Sequence, residues 1–147
     1  MSKARFMLRA TVYLILVKNN GILLLRRFNT GWEDGNYSLI SGHLDGQETV
    51  TQAMMREAKE EAGISIKTKD LHVAHAMHRK SEEDLEFIDF FLVADTWKGE
   101  PKITEPDKCD EMKWFPFDNL PRNLLHHVKQ AIENFQHNIA FSEFGWN

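Results

Sequence analysis

The stretch from Thr49 to Ala62 constrains the chain more than any other, because apolar residues recur there at helical spacing and then give way to acid on the same face. Thr49 and Gln52 stand at the spacing of a capping box, and Gly63 is placed as a left-handed stop, so a helix is expected over Thr49–Ala62. On a wheel that starts at Val50 and advances about 100° per residue, Ala53 falls at about 300°, Met54 at about 40° and Ala58 at about 80°. These define the inward face. Glu61, at about 20°, and Glu57, at about 340°, fall in its middle, with Glu60 beside them at about 280°.

A solvated charged turn is the ordinary reading of a Glu-rich helix end, the more so with Arg56 and Lys59 close by. Three details oppose it. Glu57 and Glu61 are like charges at i, i+4, which costs a helix ~0.2–0.5 kcal/mol. All three carboxylates approach the helix C-terminus, where the dipole disfavours negative charge by roughly 0.3–1 kcal/mol each. Two of them point where the apolar stripe should continue. Acid in that place calls for a compensating cation, and hard oxygen donors select Mg²⁺ or Mn²⁺. Such an ion bridges to phosphates and lowers the pKa of a bound water, which phosphoanhydride hydrolysis requires.

The rest of the chain supplies a sheet for that helix to lie on. Ala10–Val17 is apolar and β-branched enough for a buried strand, Asn19-Asn20-Gly21 suits a tight turn, and Ile22–Leu25 returns as the hairpin partner. Phe28 to Tyr37 has the composition of an irregular loop, and Tyr37–Ser41 a short strand leading into Gly42. Leu71–His78, Phe87–Thr96 and Met112–Phe117 follow as strands. Val128, Ala131, Ile132 and Phe135 then mark the buried stripe of a last helix. Strands joined mostly by loops, with two separated helices, imply the α/β or α+β class: a mixed sheet packed between helices.

With 147 residues, 42% of them hydrophobic, and no linker or repeat, one domain over residues 1–147 is expected. No apolar run is long enough to span a bilayer, and no secretion signal opens the sequence. The net charge of −4 offers no global positive field, so nucleic acid is a disfavoured partner. Cys109, the single cysteine, excludes an internal disulfide and fits a reducing cytoplasm. His72, His75 and His78 change face at each three-residue step of a strand, so they cannot converge on a metal. The aromatic end, Phe141 to Trp146, is expected to pack back on the domain or on a partner subunit, in a monomer or homodimer.

The segment GHLDGQETVTQAMMREAKEEAGI, from Gly42 to Ile64, resembles the Nudix box, G-x5-E-x7-R-E-U-x-E-E-x-G-U with U aliphatic. Gly42, Glu48, Arg56, Glu57, Ala58, Glu60, Glu61, Gly63 and Ile64 fall in register. Ala58 is smaller than the Ile, Leu or Val commonest there, and Ser41-Gly42-His43 replaces a frequent Pro-Gly-Gly. The resemblance implies a Nudix-type α/β/α sandwich. It also implies that Glu57, Glu60 and Glu61 are ligands of a divalent metal, with Glu57 foremost in orienting or deprotonating the attacking water. Gly42 would add its carbonyl to the metal, while Glu48 and Arg56 would form a supporting pair. A later acid often completes such sets; Glu111 is the first candidate, ahead of Glu105, Asp107 and Asp110.

The substrate implied is a nucleotide with a phosphoanhydride. The proline that often follows the box in ADP-ribose hydrolases is absent before Pro101, and the tyrosine of dinucleoside polyphosphate hydrolases is absent from Met77 to Asp84. Compactness and the segment from Trp114-Phe115-Pro116 to Leu120-Pro121 resemble the small MutT-type enzymes. These release nucleoside monophosphate and pyrophosphate from a triphosphate, including oxidised ones such as 8-oxo-dGTP. ADP-ribose, a nucleotide sugar, an RNA 5′ end or a non-catalytic binding module are the alternatives. Phe28, Trp32 and Tyr37 are candidates for a base-binding wall. Asn119 or Asn123 could read a base edge, and Arg27, with Arg26 second, could bind phosphate.

Overall fold

The computed structural model of the chain describes residues 4–147. Strand β1 (Arg9–Lys18) is its axis. Successive side chains leave β1 on opposite sides, Val12, Leu14 and Leu16 into one core cluster and Tyr13 and Ile15 into the other. A strand covered on both faces needs such an unbroken apolar run. Asn19 and Asn20, with φ of 50° and 65°, then turn the chain into the antiparallel β2 (Gly21–Arg27).

The expected single strand Tyr37–Ser41 is divided into β3 (Tyr37–Ser38) and β4 (Ile40–His43). The reason is a change of partner at Leu39: β3 pairs with β2, whereas β4 pairs with β1, Gly42 lying opposite Val12. Helix α1 (Val50–Ala62) begins on the expected capping box, with the Thr49 hydroxyl accepting from the Gln52 amide at 3.1 Å and the Gln52 side chain accepting from the Thr49 amide at 2.9 Å. Gly63 closes it in the left-handed region, at φ 69°. Ala53, Met54, Ala58 and Ala62 seat the helix on the sheet, and three of these four are too small to hold it far away.

Strands β5 (His72–Lys80) and β6 (Glu86–Ala94) pair antiparallel, and β6 runs parallel to β1 from Arg9 to Leu16. β7 (Cys109–Pro116) pairs antiparallel with β2. Helix α2 (His126–Gln136) buries Val128, Ala131 and Ile132 in the cluster that also holds Tyr13, Ile15 and Phe91, on the face opposite α1. The sheet order is β3-β2-β1-β6-β5-β8, with β4 on β1 and β7 on β2. A mixed sheet between two helices is thus the architecture that the sequence implied.

The eighth strand, β8 (Phe141–Phe144), is where the aromatic end goes: it runs parallel to β5 along the chain's own sheet edge. Fully buried His75 fastens it, one ring nitrogen 2.7 Å from the Ile139 carbonyl and the other 2.8 Å from the Ser142 hydroxyl. His72 is exposed and His78 lies 3.3 Å from Glu86, so the three histidines do not converge.

Candidate active site

The turn between β4 and α1 is held by one guanidinium. Arg56 donates to both Glu48 oxygens, at 3.1 and 2.7 Å, to the His43 carbonyl at 3.2 Å and to Glu57 at 2.6 Å. Asp45 lies 3.3 Å away and Glu60 3.6 Å. Glu48 also accepts from the Asp45 amide. A planar fork with several donors suits this stapling, which a point-charge lysine could not reproduce. Glu48 and Arg56, expected as a supporting pair, are in direct contact across this turn. Arg56 holds the Glu48 carboxyl below the usual carboxylate range.

Glu57 is buried at 8% exposure, and its carboxylate rests on the backbone of Gly42. A Cβ at that glycine would stand 2.1 Å from the Glu57 carboxyl carbon, so only glycine lets the carboxylate keep this position. The neighbouring Glu61 carboxylate accepts from the Ser41 amide at 3.1 Å, and among the described residues no basic side chain forms an ion pair with it. Burial raises the pKa of both Glu57 and Glu61, each opposed by a different donor, Arg56 for Glu57 and the Ser41 amide for Glu61. Glu61 is raised further by the charges of Glu57 and Glu105. Two half-compensated acids of this kind fit a hard divalent cation. Among the described residues no three His, Cys, Asp or Glu side chains already enclose one point. Glu57 and Glu61 would therefore be the inner donors, and Glu60, whose side chain is 55% exposed, would have to swing in from the surface.

The later acid whose charge acts on Glu61 is Glu105. Its loop is tied to the end of α1 by the Lys102 amide on the Ala62 carbonyl at 3.1 Å and by the Thr104 hydroxyl on the Glu60 carbonyl. Glu111 lies elsewhere, on β7, bonded by the Tyr37 hydroxyl and 3.1 Å from Arg26. Arg26 also donates to Asp110 at 2.8 Å. Arg26, Tyr37 and Glu111 thus make a cluster of their own on β2, β3 and β7, outside the two cavities described next.

Two cavities lie beyond the β4 turn, and neither is lined by Glu57, Glu60 or Glu61 themselves. The inner one, about 270 Å³, is lined by Gly42 and His43 at the helix side and by Tyr13, Arg27, Trp32 and Arg79 across from them. Arg27 donates to the Trp32 carbonyl at 2.7 Å and stacks on the Trp32 ring, its guanidinium carbon 4.8 Å from the centroid. The outer one, about 850 Å³, shares Trp32, Arg79, Ser81 and Glu83 with it and extends to Arg122–His127 and the chain end. Asn123 lines this groove, its amide nitrogen bonded to the Gly35 carbonyl at 2.8 Å. Asn119 lines neither cavity; its amide closes a turn onto Pro116.

Sequence reasoning passed over the wall opposite α1. Arg79 donates to fully buried Asp89 at 2.6 and 3.2 Å, Thr11 bonds the same carboxylate, and the Arg79 guanidinium lies 4.1 Å from the Phe87 centroid. Tyr13 and His127 lie 2.9 Å apart beside it. The signal for this network was Asp89, an acid inside the apolar run of β6.

The match to known proteins agrees with this geometry. The NUDIX domain model matches residues 7–135, and the chain belongs to that family. It is 32% identical over 115 residues to the ADP-ribose pyrophosphatase of Methanocaldococcus jannaschii, covering 78% of this chain and 66% of that one. It is also 32% identical over 111 residues to the oxidized purine nucleoside triphosphate hydrolase of Danio rerio, covering 74% and 67%. The chain thus spans about two thirds of the length of these relatives. The crystal structure of a MutT NUDIX hydrolase from Burkholderia pseudomallei superposes with a TM-score of 0.80 at 28% identity, covering 87% of this chain and 98% of that one.

Proposed function

We propose that the protein is a Mg²⁺- or Mn²⁺-dependent Nudix hydrolase that cleaves a nucleoside triphosphate to nucleoside monophosphate and pyrophosphate. The observation that carries this reading is the Glu57–Glu61 pair, one buried and one half-buried acid beside Gly42, whose other side lines a cavity that holds a guanidinium and an indole. Glu57, Glu61 and Glu60 would hold the ion, with the Gly42 carbonyl and Glu105 as further oxygen donors. When bound there, the ion polarises a phosphoryl oxygen and makes a coordinated water acidic. One of these carboxylates, Glu57 foremost, would orient the attacking water or take up the proton it loses. Arg27 meets phosphate oxygens, and Arg56 keeps the turn and the Glu57 carboxylate in place.

The name of the Danio rerio relative supports a triphosphate, including an oxidised purine. A second reading, a diphosphate-linked compound such as ADP-ribose, is favoured by the groove of about 850 Å³, which has room beyond a triphosphate, and by the name of the Methanocaldococcus jannaschii relative. The test is a turnover screen in Mg²⁺ or Mn²⁺ over canonical triphosphates, 8-oxo-dGTP, ADP-ribose and nucleotide sugars, with product identification. Nucleoside monophosphate with pyrophosphate is expected, abolished by chelator and in Glu57→Gln/Glu61→Gln. Nucleoside diphosphate with orthophosphate, or full activity in chelator, overturns the reading. Turnover of ADP-ribose alone moves it to the second substrate class.

A further inference from the structure

The inner cavity, about 270 Å³, is small beside the range of about 300–1,000 Å³ usual for small-molecule pockets. A nucleotide larger than the inner cavity can continue into the outer groove, which shares Trp32, Arg79, Ser81 and Glu83 with it. The far wall of that groove is the chain end, Phe144 to Asn147. This segment lies outside residues 7–135, the part matched by the NUDIX model.

We propose that Trp146 is a specificity-determining residue, its indole forming the surface on which the nucleobase of the bound nucleotide stacks. The proposal rests on the nucleotide-hydrolase reading above. Its ground is that Trp146 is held by several contacts and yet left 42% exposed in the lining of the groove. The indole N–H donates to the His78 carbonyl at 3.1 Å. Its ring lies 4.7 Å from the His78 imidazole, and the Lys80 ammonium lies 5.4 Å from its centroid. Gly145, at φ 85°, presses against β5 so closely that a Cβ would come 2.0 Å from the Lys80 carbonyl oxygen, which makes glycine obligatory before the tryptophan. Behind it, Gln130 donates to the Ser142 hydroxyl and the Glu143 carbonyl, both at 3.1 Å.

A rigid indole loses little freedom when a planar partner covers it, so its stacking energy survives as affinity. Stacking is tolerant of base identity, while Arg122 and His126 on the same groove can supply donors to base edges. Trp146 thus reports the presence of a base rather than its phosphates.

Calorimetric titration of the full chain in Mg²⁺, with AMP, GMP, CMP and UMP as probes and ribose 5-phosphate as the baseless control, tests this. At least one monophosphate is expected to bind about tenfold or more tightly than ribose 5-phosphate. Trp146→Ala should erase that margin and leave ribose 5-phosphate affinity unchanged, and Trp146→Phe should keep most of it. Should the alanine variant fail to fold, Trp146→Leu against Trp146→Phe reads the same margin. A margin absent from the unmodified protein, retained without the indole, or lost together with ribose 5-phosphate binding overturns the proposal. Binding needs no turnover, so a protein that shows the margin but hydrolyses nothing overturns the hydrolase reading and leaves Trp146 its role. A hydrolase without a Trp146-dependent margin does the reverse.

Discussion

A methyl group on Gly42 would stand 2.1 Å from the Glu57 carboxyl carbon and 2.2 Å from one of its oxygens. The relief available is rotation of the Glu57 side chain, because its end is flexible and the strand backbone beneath it is paired with β1. Gly42→Ala is therefore expected to fold, at an overpacking cost of about 1–3 kcal/mol. Its carboxylate would be displaced from the place where Arg56 holds it, and a displacement of about 1 Å in a catalytic group costs about 100-fold in rate. Thermal melting beside steady-state kinetics checks this: turnover should fall far more than stability. A variant that keeps full turnover would remove Glu57 from the reacting centre.

At the scale of the element, α1 is held at its start in two independent ways, by the Thr49–Gln52 capping box and by the Arg56–Glu48 fork. The first ends the helix backbone; the second fixes the turn that carries His43 and Asp45. Thr49→Ala removes one cap and should cost about 1 kcal/mol in urea unfolding. Because the fork is untouched, turnover at saturating substrate should stay within about twofold. A large loss of activity in this variant would show that the cap, and not the fork, orients the glutamates.

At the scale of the molecule, the two faces of the sheet carry different liabilities toward pH. His127, at the start of α2, is buried against Tyr13, and burial lowers its pKa to about 3, with the charges of Arg79 and His126 adding to the effect. The fold therefore keeps this imidazole neutral, while the unfolded chain takes up a proton near pH 6.5. The stability it allows is complete above about pH 6.5 and is lost as pH falls from there toward 3. His127→Gln has no such proton to gain, so the stability difference between the two proteins should shrink by on the order of 2–3 kcal/mol between pH 7 and pH 4. Chemical denaturation at several pH values measures it. A constant difference would mean that His127 titrates normally in the fold.

What the sequence determined by itself is local and periodic. The unbroken apolar run of β1, the Asn19-Asn20 turn, both ends of α1 and the placing of Glu57 and Glu61 on its inward face all follow from spacings within about a dozen residues. Partner choice was decided only by the tertiary structure, since a pairing partner or a burial is set by residues far away in the chain. Leu39 divides one apparent strand because β1 and β2 compete for it. Glu105 comes near enough for its charge to act on Glu61 because Thr104 and Lys102 tie their loop to the end of α1. Arg79 and Asp89, ten residues apart, make a buried pair only once β5 and β6 are laid side by side, and Trp146 reaches the groove only because a buried histidine on β5 holds β8 there. Helix and turn energies depend on neighbours in the chain, whereas the desolvation of an acid or the exposure of an indole depends on whatever the fold brings against it.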